Sequence, residues 1–159
     1  WLSKIALAQT GYGQFFVEHN RGHHARVATL EDPASSRLGE NLYIFHYRSI
    51  FGSLRSAWGI ERRRLHCHGR SFWTLRNDIF SSWLLTVVLF SALVLAFGVE
   101  VLPWLVAQAL IGIFLLETIN YLEHYGLRRQ RRQDGSYEPV RPSHSWNSNS
   151  VISNVFLFH

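Results

Sequence analysis

Several things that shape most proteins are scarce in this 159-residue chain. Cys67 is the single cysteine, which excludes a disulfide scaffold. Methionine is absent, even at position 1, so the chain reads as an internal fragment whose ends can cut through an element or a motif. Lys4 is the only lysine, so fifteen of the 16 cations are arginine. No cation of any kind lies between residues 77 and 127, and the acids in that window are Asp78, Glu100, Glu117 and Glu123. No repeat of fixed period is visible. Aromatic residues, in contrast, are plentiful, with 6 Trp, 6 Tyr and 11 Phe, which excludes a disordered chain. The mean hydropathy of −0.02 therefore averages one very apolar block with two basic flanks.

The net charge of +5 is compatible with nucleic acid or with an anionic membrane surface. The arginines cluster at Arg62, Arg63 and Arg64, with Arg70 and Arg76, and again at Arg128, Arg129, Arg131 and Arg132. The two clusters bracket the apolar block, which favours the membrane and not nucleic acid. Residues 79–99 carry no charge and match the roughly 20 apolar residues that a helix needs to cross a bilayer. After Glu100 a second apolar run extends to Glu117, and Pro103 suits its start, where a missing N–H costs nothing. Trp83 and Trp104 stand near run ends, as interfacial anchors do. The expectation is an all-α integral membrane protein whose segment 79–119 is a transmembrane hairpin turning at 98–103. The positive-inside rule puts both outer ends, residues 1–76 and 120–159, in the cytoplasm. Residues 5–24 are compatible with a helix weakened by Gly11 and Gly13; residues 31–36 read as a turn, because Asp32 precedes Pro33. Residues 40–58, with Tyr43, Phe45, Tyr47, Phe51 and Trp58, read as an amphipathic helix lying on the interface.

Nine histidines stand at 19, 23, 24, 46, 66, 68, 124, 144 and 159. In Glu18-His19-Asn20-Arg21-Gly22-His23-His24, His19 and His23 are four apart and share a helical face, so both imidazoles can converge on one ion. His24 is rotated by about 100° from His23 on an ideal helix. It reaches a second ion, or the same one if the helix loosens at Gly22. Neutral imidazole suits Fe, Zn, Cu and Ni, and the spacing does not choose among them. A solvated histidine-rich helix end is the plainer alternative. In the second group, Glu117, Asn120, Tyr121 and His124 fall on one helical stripe. A ligating histidine needs an acceptor for its other ring nitrogen, and Glu117 or Glu123 can supply it. His66 and His68 flank Cys67 among arginines, which disfavours a cation there. His46 reads as a packing residue, and His144 as a residue supporting the ligands.

These motifs resemble a known family. EHNRGHH at 18–24 followed by EDPASSRLGE at 31–40 is similar to the second histidine box of the membrane alkane 1-monooxygenases. NYLEHYGLRRQ at 120–130 looks like that family's HYG signature, and RPSHSWNSNS at 141–150 like the stretch before its third box. The first motif is shared in form with desaturases; the second is far more specific to alkane hydroxylases. Where many members carry a histidine after the Asn of WNSN, this chain has Ser150.

The resemblance implies a bundle of six transmembrane helices with histidine-rich segments on the cytoplasmic face of a bacterial inner membrane. It implies a single catalytic domain, incomplete in this chain, with the first histidine box just before Trp1 and the third just after His159. It further implies two non-haem iron ions, with His19, His23, His24 and His124 as ligands and Glu18, Glu117, Glu123 and His144 as supporting residues. The activity implied is hydroxylation of an n-alkane to a 1-alkanol with O2. Electrons come from rubredoxin and its reductase. Rubredoxin is acidic as a family trait, so Arg62, Arg63, Arg64, Arg128, Arg129, Arg131 and Arg132 are candidates for docking it, with lipid contact as the alternative. A histidine-box desaturase or lipid hydroxylase shares the iron chemistry. A membrane metal transporter is the reading from another class, against which residues 79–99 offer no charged ligand.

Overall fold

The computed structural model describes residues 2–146. Ser150, the apolar segment 151–159 and His159 lie outside them. Six α-helices follow in order: α1 (Leu2–Ala8), α2 (Gln14–Glu18), α3 (His24–Arg26), α4 (Leu42–Cys67), α5 (Asp78–Phe97) and α6 (Leu102–His124). A π-helix, His19–His23, joins α2 to α3. No strand occurs among the described residues; the one β-type contact is an isolated bridge between Arg131 and Tyr137.

The hairpin forms where the apolar run demands it. The Asn77 side chain accepts from the Ile79 amide at 2.9 Å and caps α5. α5 then continues for 20 residues, about 30 Å at 1.5 Å per residue. It stops at Gly98, whose φ of +88° only glycine adopts at little cost. Val99–Val101 make a single tight turn, and Pro103 opens α6. Both helices are long and apolar enough to cross a membrane. Most of their surface is not covered by the described residues: Val87, Leu95, Phe97, Leu110 and Leu115 are all exposed.

α4 lies across one end of this hairpin, where α5 begins and α6 ends. Its buried stripe is Phe45, Ser49, Ser53, Ala57, Glu61 and Leu65. The small residues in it let α2 approach closely. Val17 of α2, Ala57 of α4 and Ile79 of α5 form the buried apolar centre, flanked by Phe16, Trp58, Phe80 and Trp83. Burial of a side chain such as Val17 or Ile79 contributes about 1.5–3 kcal/mol. Beside this centre, Glu61 is fully buried and accepts from Arg21 at 2.6 Å, from Arg64 at 2.8 and 2.7 Å, and from the Asp78 amide at 2.9 Å. Asp78 in turn accepts from Lys4 at 2.6 Å and Arg21 at 2.8 Å. One ionic network thus ties α1, the π-helix, α4 and the first residue of α5.

The N-terminal segment is broken at residues 9–13, where Gly11 and Gly13 weaken the helix, and the break lies alongside the hairpin. Gln108 donates to Gln9 at 3.2 Å, and a side chain at Gly112 would strike Thr10. At Gly13 a Cβ would sit 2.4 Å from that of Ser82, so the close approach to α5 requires glycine there. Small residues facing one another are what allow a turn to pack against two apolar helices.

Candidate metal centre

His19, His23, His24 and His124 line one cavity of about 550 Å³, together with Phe15, Val27, Leu116, Ile119, Asn120 and Val140. The local backbone explains how three neighbouring histidines meet. In an α-helix His24 would point about 100° away from His23. Here the His24 amide donates to the His19 carbonyl, an i→i+5 bond, and the widened turn swings residue 24 back over residue 19. Ring centroids are 4.6 Å apart for His19 and His24, 5.4 Å for His19 and His23, and 4.8 Å for His23 and His124. Gly22 makes the widened turn possible. Any Cβ there would lie 2.4 Å from the Glu18 carboxylate, which is buried and pairs with Arg26 at 2.7 Å.

The outer hydrogen bonds fix which nitrogen of each ring is free to ligate. His23 Nδ1 lies 2.8 Å from Asp32 Oδ2. His124 Nδ1 lies 3.1 Å from the His144 carbonyl. Carboxylate and carbonyl oxygens only accept, so each Nδ1 carries hydrogen and each neutral ring keeps a lone pair on Nε2. Those two Nε2 atoms face each other at 3.1 Å. Two lone pairs at that distance repel, and only a cation between or beside them, a proton or a metal ion, relieves the contact. His19 Nδ1 is also buried without a hydrogen-bond partner. Burial, then the charges of His23, His24 and His124, push the His19 pKa down to about 4, and burial also lowers that of His24. These two rings are therefore neutral near pH 7, the form that binds metal. Among the described residues no three side chains yet enclose a common point. The donors nevertheless fit an imidazole-ligated ion in type, tautomer and proximity.

Several supporting roles differ from those expected. The acceptor for His124 is the His144 carbonyl, not Glu117; Glu123 Oε2 stands 3.8 Å from His124 Nε2, on the other side of the ring. Glu117 is buried two turns away and accepts from the Tyr12 hydroxyl at 2.6 Å. Burial and Glu117 both raise the Tyr12 pKa, so this hydroxyl keeps its proton and donates it. Asp32 is the residue missed altogether. It reads in sequence as the residue before a proline, yet it is buried, bonds Ser35 and the Ala34 amide, and orients His23. Burial would raise its carboxyl pKa, but His23, Ser35 and Ala34 together hold it below the ordinary value. The detectable signal was an acid with two serines following a His pair. His46 is a packing residue, with Nδ1 on the Leu42 carbonyl and Nε2 on that of Phe114. His66, Cys67 and His68 sit exposed at the end of α4.

A family model described as fatty acid desaturase matches residues 1–159. The chain belongs to the fatty acid desaturase family. Curated proteins refine this. The chain is 50% identical over 159 residues to an alkane 1-monooxygenase of Pseudomonas putida, covering all of this chain and 40% of that protein. It is 50% identical to alkane 1-monooxygenase 1 of Alcanivorax borkumensis over the same span, 39% of that protein. A xylene/toluene monooxygenase hydroxylase component of Pseudomonas putida is 30% identical over 137 residues, 86% of this chain and 36% of that protein. The chain thus spans about two fifths of the length of these relatives. The EHNRGHH segment at 18–24 spans the π-helix, and His124 of NYLEHYG at 120–126 ends α6.

The arginine clusters divide by what they touch. Arg64 is spent on Glu61 and the Arg76 carbonyl. Arg129 is held by the carbonyls of Glu138 and Ala25 and, like Arg131, lies over the Tyr137 ring. Arg62, Arg63, Arg128 and Arg132 remain exposed.

Proposed function

We propose that this chain forms part of a membrane non-haem di-iron monooxygenase that converts the terminal methyl of an n-alkane to a primary alcohol. The observation that carries the reading is the cavity in which four imidazoles meet walls of Phe15, Val27, Leu116, Ile119 and Val140. An alkane has no polar handle, so apolar walls must select it and aim its end. His19, His23, His24 and His124 would hold the metal, with further ligands from the rest of a longer protein. When bound, the iron supplies O2 reduction and cleavage of the C–H bond. The overall reaction takes one alkane, O2, two electrons and two protons to one alcohol and one water.

The chain's own residues prepare that chemistry. Asp32 and the His144 carbonyl keep His23 and His124 in the tautomer that presents Nε2. The π-turn brings His24 onto the same wall as His19. Phe15 stacks on His19 with centroids 4.9 Å apart and, with Leu116 and Ile119, keeps water from the reacting carbon. The hairpin, as two of six membrane helices, would deliver substrate from lipid, with the histidines on the cytoplasmic side of a bacterial inner membrane. Rubredoxin would deliver the electrons there, with Arg62, Arg128 and Arg132 exposed to meet it.

Reconstitution decides the matter. The full-length protein in lipid, with iron, rubredoxin, its reductase and O2, should yield 1-alkanols from medium or long alkanes. Absence of alkanol across such a panel overturns the reading; unsaturated lipid products in its place would make the protein a desaturase.

A further inference from the structure

Arg63 and four arginines outside the clusters singled out in sequence converge on a trough of about 470 Å³ along α4, beneath the loop 30–37. Its walls carry Arg26, Arg37, Arg48, Arg55 and Arg63. Arg26 is neutralised by Glu18 and Arg48 by Glu40, both at 2.7 Å. Arg55 and Arg63 make no ion pair or hydrogen bond among the described residues, and Arg37 has only the neighbouring charge of Glu40. Glu31 is the one further acid on the rim. The floor includes Gly59, where a Cβ would meet nothing closer than the Arg63 guanidinium at 3.5 Å. No packing among the described residues requires that glycine, and in a helix it costs about 1 kcal/mol against alanine. Its effect is to leave the trough open.

The neighbouring face of α4 says what fills it. About a quarter-turn round the helix, Tyr43, Tyr47 and Phe51 are 73%, 70% and 58% exposed. Their stripe leads to Trp58, which packs with Phe72, Trp73 and Phe80 at the start of α5. Aromatic rings at the basic end of a membrane hairpin mark the level of the headgroups. A trough in which the Arg55 and Arg63 guanidinium groups have no acid partner among the described residues, beside such a stripe, suits a molecule with an anionic head and apolar tails.

We propose that the trough binds the phosphate of an anionic phospholipid such as phosphatidylglycerol, with Arg55 and Arg63 as its donors and the Tyr47–Phe51 face against its acyl chains. The proposal rests on the membrane reading of the hairpin and is independent of the reaction catalysed. Guanidinium forks match phosphate oxygens in pairs, whereas a lysine offers only a point charge.

The test uses the full-length protein in nanodiscs of mixed phosphatidylcholine and phosphatidylglycerol, with bound lipid read by native mass spectrometry. The wild type should retain phosphatidylglycerol in preference to phosphatidylcholine. Arg55→Ala and Arg63→Ala should each lower that retention about fivefold, the worth of one interfacial arginine. Arg55→Lys should lose less. Both arginines are exposed and make no bond among the described residues, so the variants should unfold at the wild-type temperature. Equal retention in the double variant overturns the proposal, as does indiscriminate binding of the two lipids. Displacement of the lipid by excess inorganic phosphate would make this a soluble-anion site. Loss of binding to an acidic protein, with lipid retention unchanged, would make it a protein-docking face. Recovery of the protein outside the membrane fraction would instead overturn the membrane reading beneath the proposal.

Discussion

Two residues decide how the imidazoles are presented. Asp32 fixes the tautomer of His23 through one bond of 2.8 Å. Asp32→Asn should lower metal affinity about 10–100-fold, as loss of an outer hydrogen-bond partner typically does. Competitive chelation reads this directly, and an unchanged affinity would remove Asp32 from the support of the site. Gly22 acts through space instead of through a bond. Gly22→Ala must displace the buried Glu18 carboxylate, a cost of about 1–3 kcal/mol. Both the unfolding temperature and the metal content should fall. His124→Ala should lower bound iron as well; iron content equal to wild type would exclude His124 as a ligand.

At the scale of elements, legibility in the sequence followed the strength of the signal. The uncharged run 79–99 announces α5 to within a residue or two, because apolar length is a local property, whereas α6 continues past the expected end at 119 to His124. The π-turn is not local in that sense. Gly22 shows that the helix can loosen, but only the packing of Glu18 under it shows that the helix does so. The partner of His124 Nδ1 is not legible for a similar reason. Helical periodicity sees Glu117 and Glu123, whereas the true acceptor is a backbone carbonyl twenty residues on, which no side-chain pattern encodes. The loop between α3 and α4 holds one titratable tie to α4. Burial alone would raise the Glu40 pKa, but hydrogen bonds and charge from Arg48, with the Arg37 amide, hold it below its ordinary value of 4.5. A depressed carboxyl stabilises the fold above the unfolded value and loses that contribution as pH falls through the folded one. Acidification below pH 4.5 should therefore lower the unfolding temperature, and Glu40→Gln should flatten that part of the curve.

At the scale of the molecule, orientation is the property that composition could state and geometry alone could not. Arginines flank the hairpin on one side and Glu100 marks its turn. Cys67, exposed at the end of α4, offers a direct check. With other cysteines of the full-length protein replaced, an impermeant thiol reagent should label Cys67 in inverted membrane vesicles but not in intact spheroplasts. A cysteine at position 100 should show the reverse. The opposite pattern would turn the assigned topology over.

Arg21 lies within the histidine box and grips both Glu61 and Asp78, the residue from which α5 descends. The histidine-bearing turn is thereby tied to the start of α5 as well as to the loop that carries Asp32. A thicker or thinner lipid layer changes the tilt of a spanning helix. Such a change in α5 would reach the imidazoles through a chain of ionic contacts. Metal content compared in thin and thick bilayers should therefore differ more in the wild type than in Arg21→Ala, and equal responses would remove this link.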